Sequence, residues 1–192
     1  MLTLDPQRTA LVLIDLQQGI LRMPLTPHAA PQVVERAVML AKRFRALRAP
    51  VVLVHVGWSA DLADALKQPV DHPMPMPAGG YPADWMDFAP TLDVTQSDII
   101  ITKRQWGAFY GTELDLQLRR RGVKTIVLGG VSTNIGVEST ARAAWEHGYG
   151  LVLAEDAMSS SAPDTHGFAV ANIFPRLGLV RRTADVLAAL GE

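Results

Sequence analysis

Six short runs of apolar residues, too continuous to alternate between a wet face and a dry one, constrain this chain most. They lie at 9–14 (TALVLI), 51–56 (VVLVHV), 98–102 (DIIIT), 125–128 (TIVL), 150–154 (GLVLA) and 178–181 (GLVR). A strand with one solvated face shows period-two alternation, whereas a run that is apolar throughout predicts a strand covered on both faces. Helical spacing fills the gaps between them. Over 33–47, Val33, Ala37, Leu40, Ala41, Phe44 and Leu47 fall on one stripe, and shorter helices are predicted at 113–121, 164–174 and 184–190. Strands alternating with helices predict an α/β protein with a mostly parallel sheet covered on both faces. A chain of 192 residues without an internal repeat is read as one domain over 1–192.

The stretch VKTIVLGGVSTNIGVESTARAAWEHG, residues 123–148, reads as strand, tight loop and helix. Gly129 and Gly130 are expected to end the strand, and Ser132, Thr133 and Asn134 are of types that cap helix N-termini. From Ile135, the residues Val137, Ala141, Ala144 and Trp145 recur at helical spacing. In an open α/β sheet such a junction turns backbone N–H groups and a positive helix end toward the ligand crevice. Asp15 and Lys103 each end an apolar run, so both heads and the 130–136 loop are expected at one sheet edge. An acid there can give or take a proton, and an ammonium beside it can hold an anionic group or steady developing charge. Either residue alone could instead cap a turn or sit in solvent. Burial would raise the Asp15 pKa and a neighbouring ammonium would lower it; the sequence leaves that contest open.

Composition closes several routes. Net charge is −1, which gives no electrostatic case for nucleic acid or an anionic membrane surface. There is no cysteine, hence no disulfide, thiolate metal site or thiol nucleophile. No apolar stretch approaches the roughly 20 residues of a membrane span, and the start lacks a basic leader. A cytoplasmic protein is expected. GGVSTNIG matches neither G-x-G-x-x-G nor the P-loop, so no nucleotide cofactor is expected. His28, His55, His72, His147 and His166 form no zinc motif; Asp164 and His166 make a D-x-H pair without an evident third ligand, so no metal is expected. Trp58, Trp106, Phe109 and Tyr110 follow the second and third strands and could line a pocket or simply pack. Residues 68–90, with six of the thirteen prolines and Met74, Met76, Trp85 and Phe88, read as a long loop inserted in the domain. It could cover the site, pack on a neighbouring subunit, or be a surface excursion.

Three segments together carry a resemblance: ALVLIDLQQGI with Asp15, ITKRQWGAFYGTEL with Lys103, and GGVSTNIGVESTARAAWEHGY. They resemble the isochorismatase-like hydrolases, also called the cysteine hydrolase family, over nearly the whole chain and in the family's order. The resemblance implies a doubly wound three-layer α/β sandwich with a six-stranded sheet, a small-molecule substrate and homo-oligomers, dimer or tetramer. Most members hydrolyse C–N bonds with an Asp–Lys–Cys triad. Asp15 and Lys103 match its first two members. In the family pattern G-V-x-T-N-x-C-V-E-S-T, this chain has Gly136 at the cysteine. The peptide before Ser132 corresponds to a cis bond that turns an N–H toward the site.

Gly136 removes the covalent amidase route. The isochorismatase branch also carries glycine there and cleaves an enol ether without a protein nucleophile, so the resemblance implies an Asp15 acid/base with Lys103 beside it. Ser132-Thr133-Asn134 nevertheless resembles the amidase side, where isochorismatases look more like Tyr-Ala-His. The metal-dependent nicotinamidases carry D-x-H after the second strand, where this chain has His55-Val56-Gly57-Trp58. Enol-ether cleavage of a small, carboxylated metabolite is the expectation, with Gln17, Trp58, Trp106, Tyr110, Ser132 and Asn134 as substrate-binding candidates. The alternatives are a ligand-binding member that has lost its nucleophile and amide hydrolysis by an Asp-activated water.

Overall fold

All six apolar runs are strands, and they form one parallel sheet in the order β3-β2-β1-β4-β5-β6. The computed structural model describes residues 2–73 and 80–191; Met74 and Met76 of the proline-rich loop lie outside the described residues. The chain runs β1 (Thr9–Ile14), a single turn α1 (Gln18–Leu21), α2 (Ala30–Ala46) and β2 (Val51–Val56). It continues through β3 (Ile99–Lys103), α3 (Leu114–Arg120), β4 (Thr125–Val131) and α4 (Glu138–Glu146). The last elements are β5 (Gly150–Ser159), α5 (Pro163–Phe168), α6 (Phe174–Leu177), β6 (Leu179–Arg181) and α7 (Thr183–Ala189).

Alternate residues of β1, β2, β4 and β5 feed two separate cores, whereas the edge strands β3 and β6, expected to be covered on both faces, expose Ile100 and Leu179 because each has a neighbouring strand on one side alone. Leu11 and Leu13 of β1 face α2 and α7, where Val33, Leu40, Phe44 and Val186 are fully buried. Ala10, Val12 and Ile14 face the other layer, against Leu114, Leu118, Val137, Ala141 and Phe174. This is the doubly wound sandwich, and it explains why β1 is apolar at every position: neither face reaches water.

Several boundaries differ from expectation for local reasons. β4 does not stop at Leu128 but runs through both glycines to Val131. Gly130 has φ of +119°, and a Cβ on it would lie 2.1 Å from the Ile14 carbonyl oxygen, so its missing side chain is what lets β4 stay laddered to β1. β5 continues past Ala154 to Ser159 because a register shift opposite Gly129 absorbs the extra residues. The helix after β4 opens with a wide turn, Thr133–Val137, and no side chain caps it at Ser132. Val137, Ala141 and Ala144 are buried as the stripe predicts, whereas Trp145 is exposed. The helix expected at 164–174 is interrupted by a second wide turn, Ala169–Ile173.

The far half of the long loop folds back on its own sheet. Trp85 donates its indole N–H to the Val56 carbonyl, Phe88 stacks on His55 at 4.9 Å, and Ala89 N–H donates to the Leu16 carbonyl. It covers the ends of β1 and β2.

Candidate active site

The strand order reverses between β1 and β4, the place where open α/β sheets present a crevice at their strand C-termini. Asp15 follows β1 there, Lys103 ends β3, and the 131–136 turn follows β4. Asp15 takes a left-handed φ of +52°, which aspartate tolerates better than most residues, while its N–H still donates to the Val54 carbonyl at 2.8 Å. Lys103 is only 2% exposed, and its Nζ donates to Asp15 Oδ2 at 2.8 Å and to the Gln105 carbonyl at 3.2 Å. The second carboxylate oxygen, Oδ1, is buried and has no partner among the described residues. Desolvation outweighs the lowering effect of Lys103 and pushes the Asp15 pKa up to about 6. This answers the contest between burial and ammonium in favour of burial.

Gly136 sits against this pair. A Cβ at that position would lie 3.0 Å from Ile14 Cγ2, 3.2 Å from Asp15 Oδ2 and 3.4 Å from the Trp106 carbonyl oxygen. Any side chain at 136 would therefore project beside the carboxylate, and here there is none. The Val131–Ser132 peptide is cis, as the resemblance implies. Thr140 donates to the Gly136 carbonyl at 2.6 Å and accepts the Ala108 N–H at 3.1 Å, which ties the turn to the segment after Lys103. Thr140 was not singled out from the sequence; its position one helical turn beyond Gly136 was the available signal.

The substrate-binding candidates do not behave alike. Gln17 is not free to meet a ligand: its Nε2 donates to the Val56 and Trp85 carbonyls and its Oε1 accepts the Val56 N–H. Buried amide groups pair before anything else, and Gln17 anchors the long loop. Trp58 donates to the Arg104 carbonyl and stacks on Tyr81 at 5.1 Å. Trp106 and Tyr110 are 62% and 82% exposed, so their rings stand largely in solvent in the single chain. Phe109 turns inward onto His147 and Tyr149. Ser132 and Asn134 lie on the turn, and Asn134 Oδ1 accepts the Ser160 hydroxyl.

His55 spends both ring nitrogens, on the Met86 carbonyl at 2.9 Å and Thr102 Oγ1 at 2.8 Å. The D-x-H pair of Asp164 and His166, for which the sequence showed no third ligand, is not the grouping found, and His166 is buried. Distant stretches bring His28 and Glu155 to it, while Asp164 is not in the group. Sequence spacing held no signal for this, since His28 lies in the loop before α2, Glu155 on β5 and His166 on α5.

No helix among the described residues is long and apolar enough to cross a membrane. The Isochorismatase domain model matches residues 9–185. The chain is 57% identical over 190 residues to the isochorismatase family protein YecD of Escherichia coli O157:H7, covering 99% of this chain and 100% of YecD. It superposes on an isochorismatase family protein from Burkholderia thailandensis with a TM-score of 0.93 at 48% identity, covering 100% of both chains. A more distant likeness, 29% identity over 215 residues, links 99% of it to 82% of the ureidoacrylate amidohydrolase RutB of Methylobacterium radiotolerans. Sequence, fold and the Asp15–Lys103 corner converge, and the chain belongs to the isochorismatase family of hydrolases.

Proposed function

We propose that this hydrolase cleaves the enol ether of a small carboxylated metabolite, with Asp15 as acid and base and Lys103 as its electrostatic partner. One observation carries the reading. A buried carboxyl group with a pKa near 6 has one oxygen on an ammonium and one oxygen unpartnered, beside a residue that offers no nucleophile. A group poised near neutrality can hold a proton and release it at working pH. Asp15 delivers its proton to the vinyl carbon, and the C=C electron pair forms the new C–H bond. The oxocarbenium ion captures water, which returns a proton to Asp15. The hemiketal then collapses to a 2-oxo acid and an alcohol. Lys103 holds the carboxylate form between these steps, and N–H groups of the 132–136 turn receive the substrate's oxygens. Gly136 leaves room for the substrate where a side chain would stand. A second copy of the chain over Trp106 and Tyr110 closes the crevice, which is why a homo-oligomer belongs to this reading.

The test is pyruvate release from isochorismate, coupled to lactate dehydrogenase, with Asp15→Asn in parallel. Loss of a positioned acid costs about 10²–10⁴-fold, so the variant should fall by at least that lower figure. Absence of turnover in the wild type, or turnover that survives the substitution, overturns the enol-ether reading. The likeness to RutB favours a second reading, hydrolysis of a small amide by water that Asp15 deprotonates. Ammonia release from ureido acids, again lost in Asp15→Asn, would select it.

A further inference from the structure

We propose that His28, Glu155 and His166 form a site for a divalent transition-metal ion of the zinc class, separate from the Asp15–Lys103 pair. One ligand atom from each lies within 4.8 Å of the other two. Two imidazoles and one carboxylate are a donor set that zinc favours, with bonds of about 2.0–2.2 Å. Tetrahedral ligands at that distance stand roughly 3.3 Å apart, so rotamer adjustments of about an ångström draw the three onto one ion.

Each ligand is held by contacts that leave its metal-facing atom available. His166 is 5% exposed, and its Nδ1 is paired with Thr133 Oγ1 at 2.8 Å, which leaves Nε2 as the remaining donor. A hydrogen bond on the far nitrogen is the usual way a ligating histidine is oriented. Glu155 divides its oxygens: Oε2 lies 3.9 Å from His28 Nε2, and Oε1 lies 3.5 Å from Arg182 Nε. It therefore presents one oxygen to the ion while the other keeps its cation. Glu155 reaches this position because it stands in the part of β5 where the register to β4 shifts, and such irregularities re-aim side chains. His28 sits on a strap fastened to the end of β5. Thr26 exchanges both main-chain hydrogen bonds with Ser160, at 2.8 and 3.0 Å, and the His28 N–H donates to Ser159 Oγ at 3.2 Å. The two rings meet edge to face, with centroids 5.8 Å apart.

An ion here clamps three elements, the 26–28 strap, β5 and α5. Through His166 and Thr133 it also braces the turn that carries Gly136. Its role is positioning, since none of the three ligands bonds to Asp15 or Lys103 among the described residues.

The full chain, stripped with EDTA and dialysed, is titrated with ZnCl2 in a calorimeter and in a thermal melt. The expected result is one ion per chain and a melting temperature that rises with zinc. His28→Ala and Glu155→Gln should each weaken binding by more than the roughly 100-fold upper figure for losing an outer-shell partner and abolish the rise, while Asp164→Asn should leave both unchanged. With Co2+ as the probe, visible d–d absorption should appear in the wild type and vanish in Glu155→Gln, which keeps its shape if His28→Ala folds poorly. No binding by the wild type, or equal binding by both ligand variants, overturns the proposal, and the second result marks the zinc as adventitious. Neither readout depends on the reaction proposed above.

Discussion

Strand β3 has an ion pair at each end, and the two are built to opposite specifications. Just before it, Asp98 receives Arg45 through both oxygens, at 3.0 and 2.7 Å, and also the Thr95 N–H at 2.8 Å. Arg45 spends its remaining nitrogen on the Leu92 carbonyl. At the other end, Lys103 reaches one oxygen of Asp15 and the second oxygen has no partner among the described residues. A planar guanidinium meets a carboxylate in two matched bonds, whereas an ammonium is a point charge that leaves half of its partner free. Saturated pairs hold structure, and a half-satisfied buried carboxyl is available for chemistry.

Breaking the saturated pair gives the largest effect expected on stability. Asp98→Ala strands a guanidinium with 17% of its side chain exposed, and removing one partner of a buried pair costs about 3–5 kcal/mol. Urea unfolding should show that loss with turnover per folded molecule unchanged; a change below about 1 kcal/mol would break the comparison.

The unsaturated pair should instead respond to pH. Asp15 rises from 3.8 in the unfolded chain to about 6 in the fold, so the native state binds its proton more tightly. Its contribution to stability is fully present below about pH 4 and is lost as pH climbs through 6. At about 1.4 kcal/mol per pKa unit the swing is about 3 kcal/mol. Asp15→Asn cannot titrate, so the stability gap between variant and wild type should shift in the variant's favour between pH 4 and 7. Parallel curves would contradict the assignment.

Gly136→Ala gives the smallest effect. Its methyl would enter at 3.0–3.4 Å from Ile14, Asp15 and the Trp106 carbonyl, an overpacking that costs about 1 kcal/mol once the helix-favouring effect of alanine is subtracted. Denaturant midpoints resolve it, and a stabilised variant would mean that the space beside Asp15 is larger than these contacts define.

The four inner strands were legible in the sequence because burial on both faces leaves an apolar run with no interruption. Asp15 and Lys103 were legible for a related reason: a charge that ends such a run marks the C-terminal end of the strand, the edge at which a sheet of this kind presents its crevice. What stayed hidden depends on partners far away in the chain. Gln17 reads like any polar residue after a strand until Val56 and Trp85 are beside it. The wide turns at 133–137 and 169–173 change hydrogen-bond registry without changing the residue types that favour helix. The exposure of Trp106 and Tyr110 follows from the direction of one loop, which hydropathy does not encode. His28, Glu155 and His166 carry no spacing motif because no two of them share an element.

β3 is the outermost strand on its side of the sheet, laddered to β2 alone, and it carries Lys103. Amide protection falls toward such margins, because opening them breaks fewer contacts than opening the centre. Fraying at β3 therefore parts Lys103 from Asp15 while β1, β4 and β5 remain hydrogen-bonded. On warming, the molecule would then part the proposed Asp15–Lys103 pair before it loses its fold, so on that mechanism a protein that still looks native by circular dichroism can already be idle. On the proposed mechanism, the temperature ceiling of activity is set at the rim of the sheet.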